Sequence, residues 1–150
     1  MRRSPTRRRH RSVPASFMTL GGRGSLARAR IVVGEAMSLL RMHGGRRVAN
    51  VGIIGNLIHY LQREDVVITA SDFDEGLIKE GILGVPVVSG EFSPQIVAET
   101  DVALVCGETL ASDTLDELVK VAKDNNTKLV LFAVTGCHFG EEYCRTFGID

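Results

Sequence analysis

Three cysteines and one histidine are the residues whose chemistry best suits a soft metal ion. Cys137 and His138 are adjacent in VTGCHFG, directly after an apolar run, Cys106 closes an earlier apolar run, and Cys144 follows seven residues after Cys137. Thiolate sulfur and imidazole nitrogen suit soft or borderline cations. The spacing matches no standard structural zinc pattern, and Cys144 falls in a predicted helix, where cysteine more often packs. We therefore predict Cys106, Cys137 and His138 as metal ligands, with inert reduced thiols as the alternative.

The elements that must position these residues follow from a hydrophobic pattern that changes period along the chain. Short apolar runs in VANVGIIG, DVVITASDFD, VPVVS, DVALVCGE and KLVLFAVTG predict strands buried on both faces of a parallel sheet. Helical periodicity in ARIVVGEAMSLLRM, NLIHYLQRE, EGLIKEGI and SDTLDELVKVAKDNN predicts helices among them. This alternation predicts an α/β fold: a Rossmann-like, doubly wound, mostly parallel sheet in three α/β/α layers, with strand order 3-2-1-4-5.

A sheet of this kind binds its ligand beyond the carboxyl ends of the strands. The predicted ligand-binding residues are those that directly follow the predicted strands: Gly55, Asn56, Asp72, Asp74, Glu108, Thr109 and Gly136. Asn56 is also predicted to cap the helix after the first strand, because its side chain can accept a hydrogen bond from a backbone N–H. The predicted partner is a metal ion or a small ligand.

A nucleotide is the alternative ligand. The segment NVGIIGN resembles the dinucleotide fingerprint GxGxxG only loosely, with Asn50 in place of the first glycine if Gly52 and Gly55 are the other two. Asp72 lies 20 residues beyond Gly52, where an acidic residue would hold a ribose hydroxyl. This alternative is a transferase-type enzyme with a nucleotide or adenosyl cofactor. No catalytic residue is predicted, because neighbouring side chains such as Cys137 and His138 point apart on a strand.

Charge divides the chain into two parts. Residues 1–34 hold nine arginines and no acid, so the remaining 9 basic residues face all 18 acidic ones, a balance of about −9. This composition predicts a disordered basic tail at residues 1–30 and a Rossmann-like domain at residues 31–150. The acidic domain argues against nucleic acid except through the tail. A nucleic-acid arm, a transit peptide and a solvated or non-native extension stay open for the tail.

Cysteine use and hydropathy bear on the compartment. Three cysteines with no CxxC pair do not form a secreted disulfide framework. The sequence also lacks the roughly 20 consecutive apolar residues of a membrane span. We therefore expect a cytoplasmic protein with no membrane partner. The chain ends at GID, where a further strand would be expected, which predicts a domain truncated at its carboxyl end.

Three segments together carry a family resemblance. VANVGIIGNLIHYL, ETDVALVCGETLASDTLDELV and KLVLFAVTGCHFGEEYCRTFGID resemble the Rossmann-like portion of the putative heavy-metal chelation family, a family of unknown function. The shared elements are the glycine after the first strand, the strand with its Thr-Leu and helix, and the closing Gly-Ile-Asp. The family often has Asn-Gly-Thr where this chain has Ser112-Asp113-Thr114.

The resemblance implies a module that binds a divalent or soft transition metal, without naming its ligands. It also implies a preceding domain similar to the small amino-terminal domain of enolase. Residues 1–45 are too short and too basic to supply that domain. We therefore expect either a truncated or divergent member of the family or a partner that provides the missing domain. A homo-oligomer is a further expectation.

Overall fold

The computed structural model describes residues 21–111 and 113–132 of the chain. Helices and strands alternate through this part, and a short 3-10 helix, Gly90–Phe92, follows the third strand. In chain order the elements are α1 (Gly21–His43), β1 (Arg47–Val51), α2 (Gly55–Leu61), β2 (Val67–Asp72), α3 (Glu75–Glu80), β3 (Val87–Ser89), α4 (Ser93–Ala98), β4 (Val102–Cys106), α5 (Glu108–Ala111), α6 (Leu115–Asp124) and β5 (Lys128–Phe132).

The five strands form one parallel sheet in the order β3-β2-β1-β4-β5. This order and the α/β class confirm the predicted fold. The central strand β1 pairs with β2 on one side and β4 on the other, so that Val48 lies beside both Ile68 and Val102. Because all strands are parallel, their carboxyl ends lie at the same edge of the sheet.

Helices cover both faces of the sheet, which gives the three predicted layers. On one face, α1 and α2 pack on side chains that include Val48 and Leu104. On the other face, α4 and α6 pack on alternate residues that include Val51 and Val105. Successive side chains of a strand point to opposite faces, so a central strand must be apolar nearly throughout. This requirement explains the continuous apolar run of β4 and the nearly continuous run of β1, which Asn50 interrupts.

Helix α1 begins before the predicted tail ends. Its buried face holds Ala29, Val33, Ala36 and Leu40, which recur at helical spacing and pack against α2 and the sheet. Residues 21–30 are helical and Ala29 belongs to the core, so the predicted boundary at residue 30 falls inside this helix. The prediction of disorder for residues 1–20 lies outside the described residues.

Helix α4 is the element that sequence reasoning passed over. It links β3 to β4, carries Pro94 in its first turn and buries Ile96 and Val97. Two parallel strands require a crossover connection. The signal for this helix is the crossover that β3 and β4 require, because only Ile96 and Val97 among its apolar side chains are buried.

The segment after β4 forms two helices rather than one. Helix α5 follows the strand directly, Asp113 adopts a positive φ of 59°, and α6 buries the predicted face of Leu115, Leu118, Val119 and Ala122. Described strand β5 ends at Phe132, so the remainder of the predicted strand and the helix after it lie outside the described residues. No helix in the described part of the chain is long and apolar enough to cross a membrane.

Candidate functional site

A cleft of about 420 Å³ opens at the carboxyl edge of the sheet. It lies beyond the ends of β1, β2 and β4, where the first turns of α4, α5 and α6 also meet. The lining residues are Val51, Gly52, Ser71, Asp72, Phe73, Gly90, Glu91, Ser93, Pro94, Cys106, Glu108, Thr109, Thr114, Glu117 and Leu118. This is the position that the rule for open parallel sheets indicates for a ligand.

The structure brings some of the predicted site residues together and leaves others apart. Asp72, Cys106, Glu108 and Thr109 all line the cleft. Three more predicted residues follow strand ends but do not line the cleft: Gly55, Asn56 and Asp74. The last three lie outside the described residues: Gly136, Cys137 and His138.

The turn between β1 and α2 is fixed by hydrogen bonds from both sides. Gly52 has a positive φ of 75°, and its N–H donates to the carbonyl oxygen of Ser71 over 3.0 Å. The side-chain amide of Asn50 donates to the carbonyl oxygen of Gly52 over 3.2 Å. The N–H of Ile53 donates to Oδ2 of Asp72 over 2.7 Å. These contacts hold the turn against the end of β2.

Gly52 also lies directly against Cys106. A Cβ atom at position 52 would be 2.8 Å from Cβ of Cys106, closer than real Cβ contacts. The absence of a side chain therefore lets β1 and β4 end side by side at the floor of the cleft. Glycine is needed here both for its positive φ and for this close approach.

Asn50 carries an unusual polar group for a central strand. The residue is fully buried, and within the described residues its Oδ1 has no hydrogen-bond partner. An unpaired buried acceptor costs about 1–3 kcal/mol. The amide of Asn50 therefore holds the Gly52 turn at a cost to stability.

Asp72 and Asp74 have structural roles at the exit of β2. The second carboxylate oxygen of Asp72, Oδ1, accepts a hydrogen bond from the N–H of Asp74 over 2.9 Å. Oδ1 of Asp74 in turn accepts from the N–H of Leu77 and caps α3. Both oxygens of Asp72 thus accept internal hydrogen bonds, and this arrangement does not favour its predicted role on a ribose hydroxyl.

Asn56 does not cap the helix after β1, so that prediction was wrong. Helix α2 begins at Gly55, its N-cap position is Ile54, and the side chain of Ile54 makes no capping hydrogen bond. Asn56 is the second residue of the helix rather than the residue before it. The tight Gly52 turn starts the helix two residues earlier than the position of the asparagine indicated.

Cys106 is the soft donor of the cleft. It is 7% exposed, and burial raises the pKa of its thiol, with the negative charges of Glu108 and Asp72 acting in the same direction. The hydroxyl of Thr109 donates to the carbonyl oxygen of Cys106 over 2.8 Å and fixes the start of α5. The thiol is therefore protonated at neutral pH, and a metal ion would have to displace its proton.

The charges that line the cleft are all negative. Asp72, Glu91, Glu108 and Glu117 contribute carboxylates, and no lysine, arginine or histidine is among the lining residues. A phosphate group binds where cationic side chains or backbone N–H groups meet it. The field of this cleft instead attracts cations.

Two serines form a buried hydroxyl pair in the wall of the cleft. Oγ of Ser71 and Oγ of Ser93 are 2.9 Å apart, and the two residues are 1% and 6% exposed. One hydroxyl hydrogen lies between the two oxygens. The pair ties the end of β2 to the start of α4, the helix that forms one side of the cleft.

The described residues do not by themselves form a metal site. Across residues 21–111 and 113–132, no three His, Cys, Asp or Glu side chains are grouped so that they could hold a metal ion. Cys106 offers one sulfur, and Asp72 and Glu108 offer oxygens near it. A soft cation bound here would need a further donor or a local rearrangement.

Comparison with protein families gives a match over most of the domain. The sequence model of the family DUF364, described as "Putative heavy-metal chelation", matches residues 35–134. The chain belongs to this family. A search of curated proteins finds no match to the sequence.

One solved structure of a family member shares the fold, and two further structures are similar to the chain at lower scores. A DUF364 protein of unknown function from Pyrococcus horikoshii is 18% identical with a TM-score of 0.52, over 62% of this chain and 36% of that one. A second, from Desulfitobacterium hafniense, is 17% identical with a TM-score of 0.48, over 73% of this chain and 43% of that one. An L-tryptophan dehydrogenase from Nostoc punctiforme is 18% identical with a TM-score of 0.48, over 84% and 47%. The chain thus spans less than half of each of these proteins.

Several cleft residues were missed by sequence reasoning. Ser93 and Glu91 come from the connection between β3 and β4, and Phe73 packs against Gly90 beside them. Recognising that a crossover helix must follow β3 would have brought this connection to the carboxyl edge. Glu117 comes from the first turn of α6, where acidic residues are expected for reasons of helix stability alone, so its position gave no separate signal.

Proposed function

We propose that the carboxyl-edge cleft binds a soft or borderline divalent metal ion, with Cys106 as the sulfur donor. The observation that carries this proposal is the lining itself: four carboxylates, a buried thiol and no basic side chain among the lining residues. The description of the family as one of heavy-metal chelation agrees with this chemistry. The metal is the cargo of the site, and the protein is a binding module.

The donor set has a defined chemical preference. A thiolate favours zinc, copper or another soft ion over magnesium and calcium, which prefer oxygen ligands alone. Glu108 would add carboxylate oxygen, and Asp72, whose two oxygens already accept backbone N–H groups, would help to neutralise the charge of the cation. Cys137 and His138, from the segment after β5, are proposed as the donors that complete the set. Strand β5 lies next to β4, and Phe132 is level with Cys106 in the register of the two strands.

The proposal predicts a pH dependence with a definite sign. Burial raises the pKa of the Cys106 thiol, so a proton must leave the sulfur when the metal binds. Metal affinity should therefore rise with pH through the neutral and mildly alkaline range. The nucleotide alternative gains no support from the described part of the cleft, because among those lining residues a phosphate would meet carboxylates and no cationic side chain.

The test uses the full chain, reduced and purified without a metal-affinity tag. It is equilibrated with zinc, copper or nickel, dialysed, and its metal content is measured by mass spectrometry. We expect near-stoichiometric metal in the wild type and a loss of at least about tenfold in affinity for Cys106→Ser, the range that removal of a metal-site partner produces. Cys144→Ser is the matched thiol control and should bind as the wild type does.

Two results would contradict the proposal. One is the absence of bound metal in the wild type after equilibration with all three ions. The other is equal metal content in wild type and Cys106→Ser when circular dichroism shows that both are folded. A nucleotide that co-purifies with metal-free protein would instead support the transferase-type alternative.

A further inference from the structure

The Arg-rich start of the chain and the cleft have complementary charge. Six arginines and no acid lie between residues 2 and 11. The cleft is an apolar groove between side chains such as Phe73 and Leu118, with Glu91 and Glu117 among its carboxylates and no basic residue in its lining. Both glutamates are exposed side chains. Guanidinium groups pair with carboxylates through two parallel hydrogen bonds, a geometry that lysine cannot match.

The direction of α1 places the attachment point of the Arg-rich segment near the carboxyl edge of the sheet, where the cleft lies. Helix α1 ends at His43, and only residues 44–46 separate it from β1, which starts at the amino edge. Since α1 packs along the sheet and ends near the amino edge, its amino end must lie towards the carboxyl edge. Among the side chains of α1 that the structure describes, the first buried one is Ala29, eight residues after Gly21, so the helix extends about 12 Å beyond that position.

The chain between the arginines and α1 is long enough to reach the cleft. Ten residue steps separate Arg11 from Gly21. At about 3.3–3.6 Å per residue, they span up to about 33–36 Å. Packed layers of secondary structure are about 10 Å apart. Crossing the edge of the sheet from the α1 face to the α4 and α6 face therefore requires only part of this length.

We propose that residues 2–11 dock in the carboxyl-edge cleft of their own chain, with guanidinium groups on Glu91 and Glu117. The contact itself needs no metal. The effect on metal binding rests on the proposed function. If that function holds, residues 2–11 compete with the metal ion for the same acidic cleft. The tail then lowers the affinity of the cleft for metal, and metal binding releases the tail.

Limited digestion of the full, metal-free chain by trypsin measures the docking directly. Trypsin cleaves after arginine, so a docked segment is cut more slowly than an undocked one. The assay runs at about 0.01 M ionic strength, where charges act over about 30 Å. We expect Glu91→Gln/Glu117→Gln to raise the rate of cleavage after residues 7–11 by about threefold or more, as loss of one or two surface ion pairs predicts.

The matched control removes the same charge from the opposite edge. Glu64 follows α2 and Glu80 ends α3, and both side chains are exposed at the amino edge of the sheet. Glu64→Gln/Glu80→Gln should therefore be cleaved at the wild-type rate. A synthetic peptide of residues 1–20 gives the rate of the undocked segment. Equal rates for the wild-type chain and the peptide, or for the wild type and the cleft variant, would overturn the proposal.

Adding zinc separates this inference from the proposed function. If both hold, zinc raises the cleavage rate of the wild-type tail relative to that of the peptide. If cleavage depends on Glu91 and Glu117 but zinc has no effect, the docking stands and the competition between the tail and the metal ion is refuted. If zinc binds and the cleft variant is cleaved at the wild-type rate, the docking is refuted and metal binding stands.

Discussion

The contact between Gly52 and Cys106 makes a sharp prediction about stability. In Gly52→Ala the alanine must adopt a positive φ of 75°. Its Cβ would lie 2.8 Å from Cβ of Cys106. A left-handed conformation costs about 1–2 kcal/mol for a residue with a Cβ. Overpacking a buried contact costs about 1–3 kcal/mol more. We therefore expect Gly52→Ala to lower the free energy of unfolding by about 2–5 kcal/mol.

Gly84→Ala is the control that separates strain from collision. Gly84 has a similar φ of 79°, but a Cβ there would meet no atom within 4 Å. Gly84→Ala should therefore lower the free energy of unfolding only by the backbone strain, about 1–2 kcal/mol. Urea denaturation followed by circular dichroism measures both variants, with the slope against urea checking that each unfolds in one step. Equal losses for the two variants would show that the close contact with Cys106 has no energetic weight.

The partner atom can be identified with double variants. The clash is with Cβ of Cys106, whereas Sγ lies 3.9 Å away. In a Cys106→Ala background the Cβ remains, so Gly52→Ala should cost as much as it does in the wild type. In a Cys106→Gly background the Cβ is gone, and the cost should fall towards that of Gly84→Ala. A cost that is the same in both backgrounds would refute the geometry.

Two further predictions concern residues outside the proposed chemistry. Asp101 accepts hydrogen bonds from the side chain and the backbone N–H of Arg47, and these bonds lower the pKa of Asp101. The stabilisation by this carboxylate is therefore complete above its ordinary pKa. It is lost as the pH falls through the lowered pKa of the folded protein. Chemical denaturation should show that Asp101→Asn is less stable than wild type at pH 7 and that the difference shrinks at acidic pH; a difference constant with pH would contradict this. For the buried hydroxyl pair, Ser71→Ala should cost about 1–3 kcal/mol by leaving the Ser93 hydroxyl unpaired. The double variant Ser71→Ala/Ser93→Ala should lose less than the sum of the single variants, and strict additivity in urea denaturation would argue against the hydrogen bond.

The sheet could be predicted because its central strands leave little ambiguity. A continuous apolar run such as that of β4 fits a strand buried on both faces and fits no exposed element of that length. The alternation with helices then fixes the class, and the strand order follows from a common doubly wound topology. Helix α4 has only six residues, and its recognition depends on the crossover that the sheet requires rather than on its own pattern.

The candidate site could be predicted only where it depends on strand ends. Asp72 and Cys106 close their strands, and both line the cleft because parallel strands end at one edge. Ser93 and Glu117 enter the cleft through the packing of α4 and α6, which no local sequence pattern encodes. The capping role given to Asn56 was wrong because the positive φ of Gly52 sets where α2 begins.

The packing of α1 has a consequence for synthesis on the ribosome. Its apolar face meets α2, which ends at Leu61, but it also packs on β4 and on β5, which ends at Phe132. The 71 residues between those two ends take roughly 4–14 s to emerge at about 5–20 residues per second. During that interval part of the helix has no surface to cover it, so the nascent chain presents a hydrophobic stripe that a chaperone can bind before the sheet is complete.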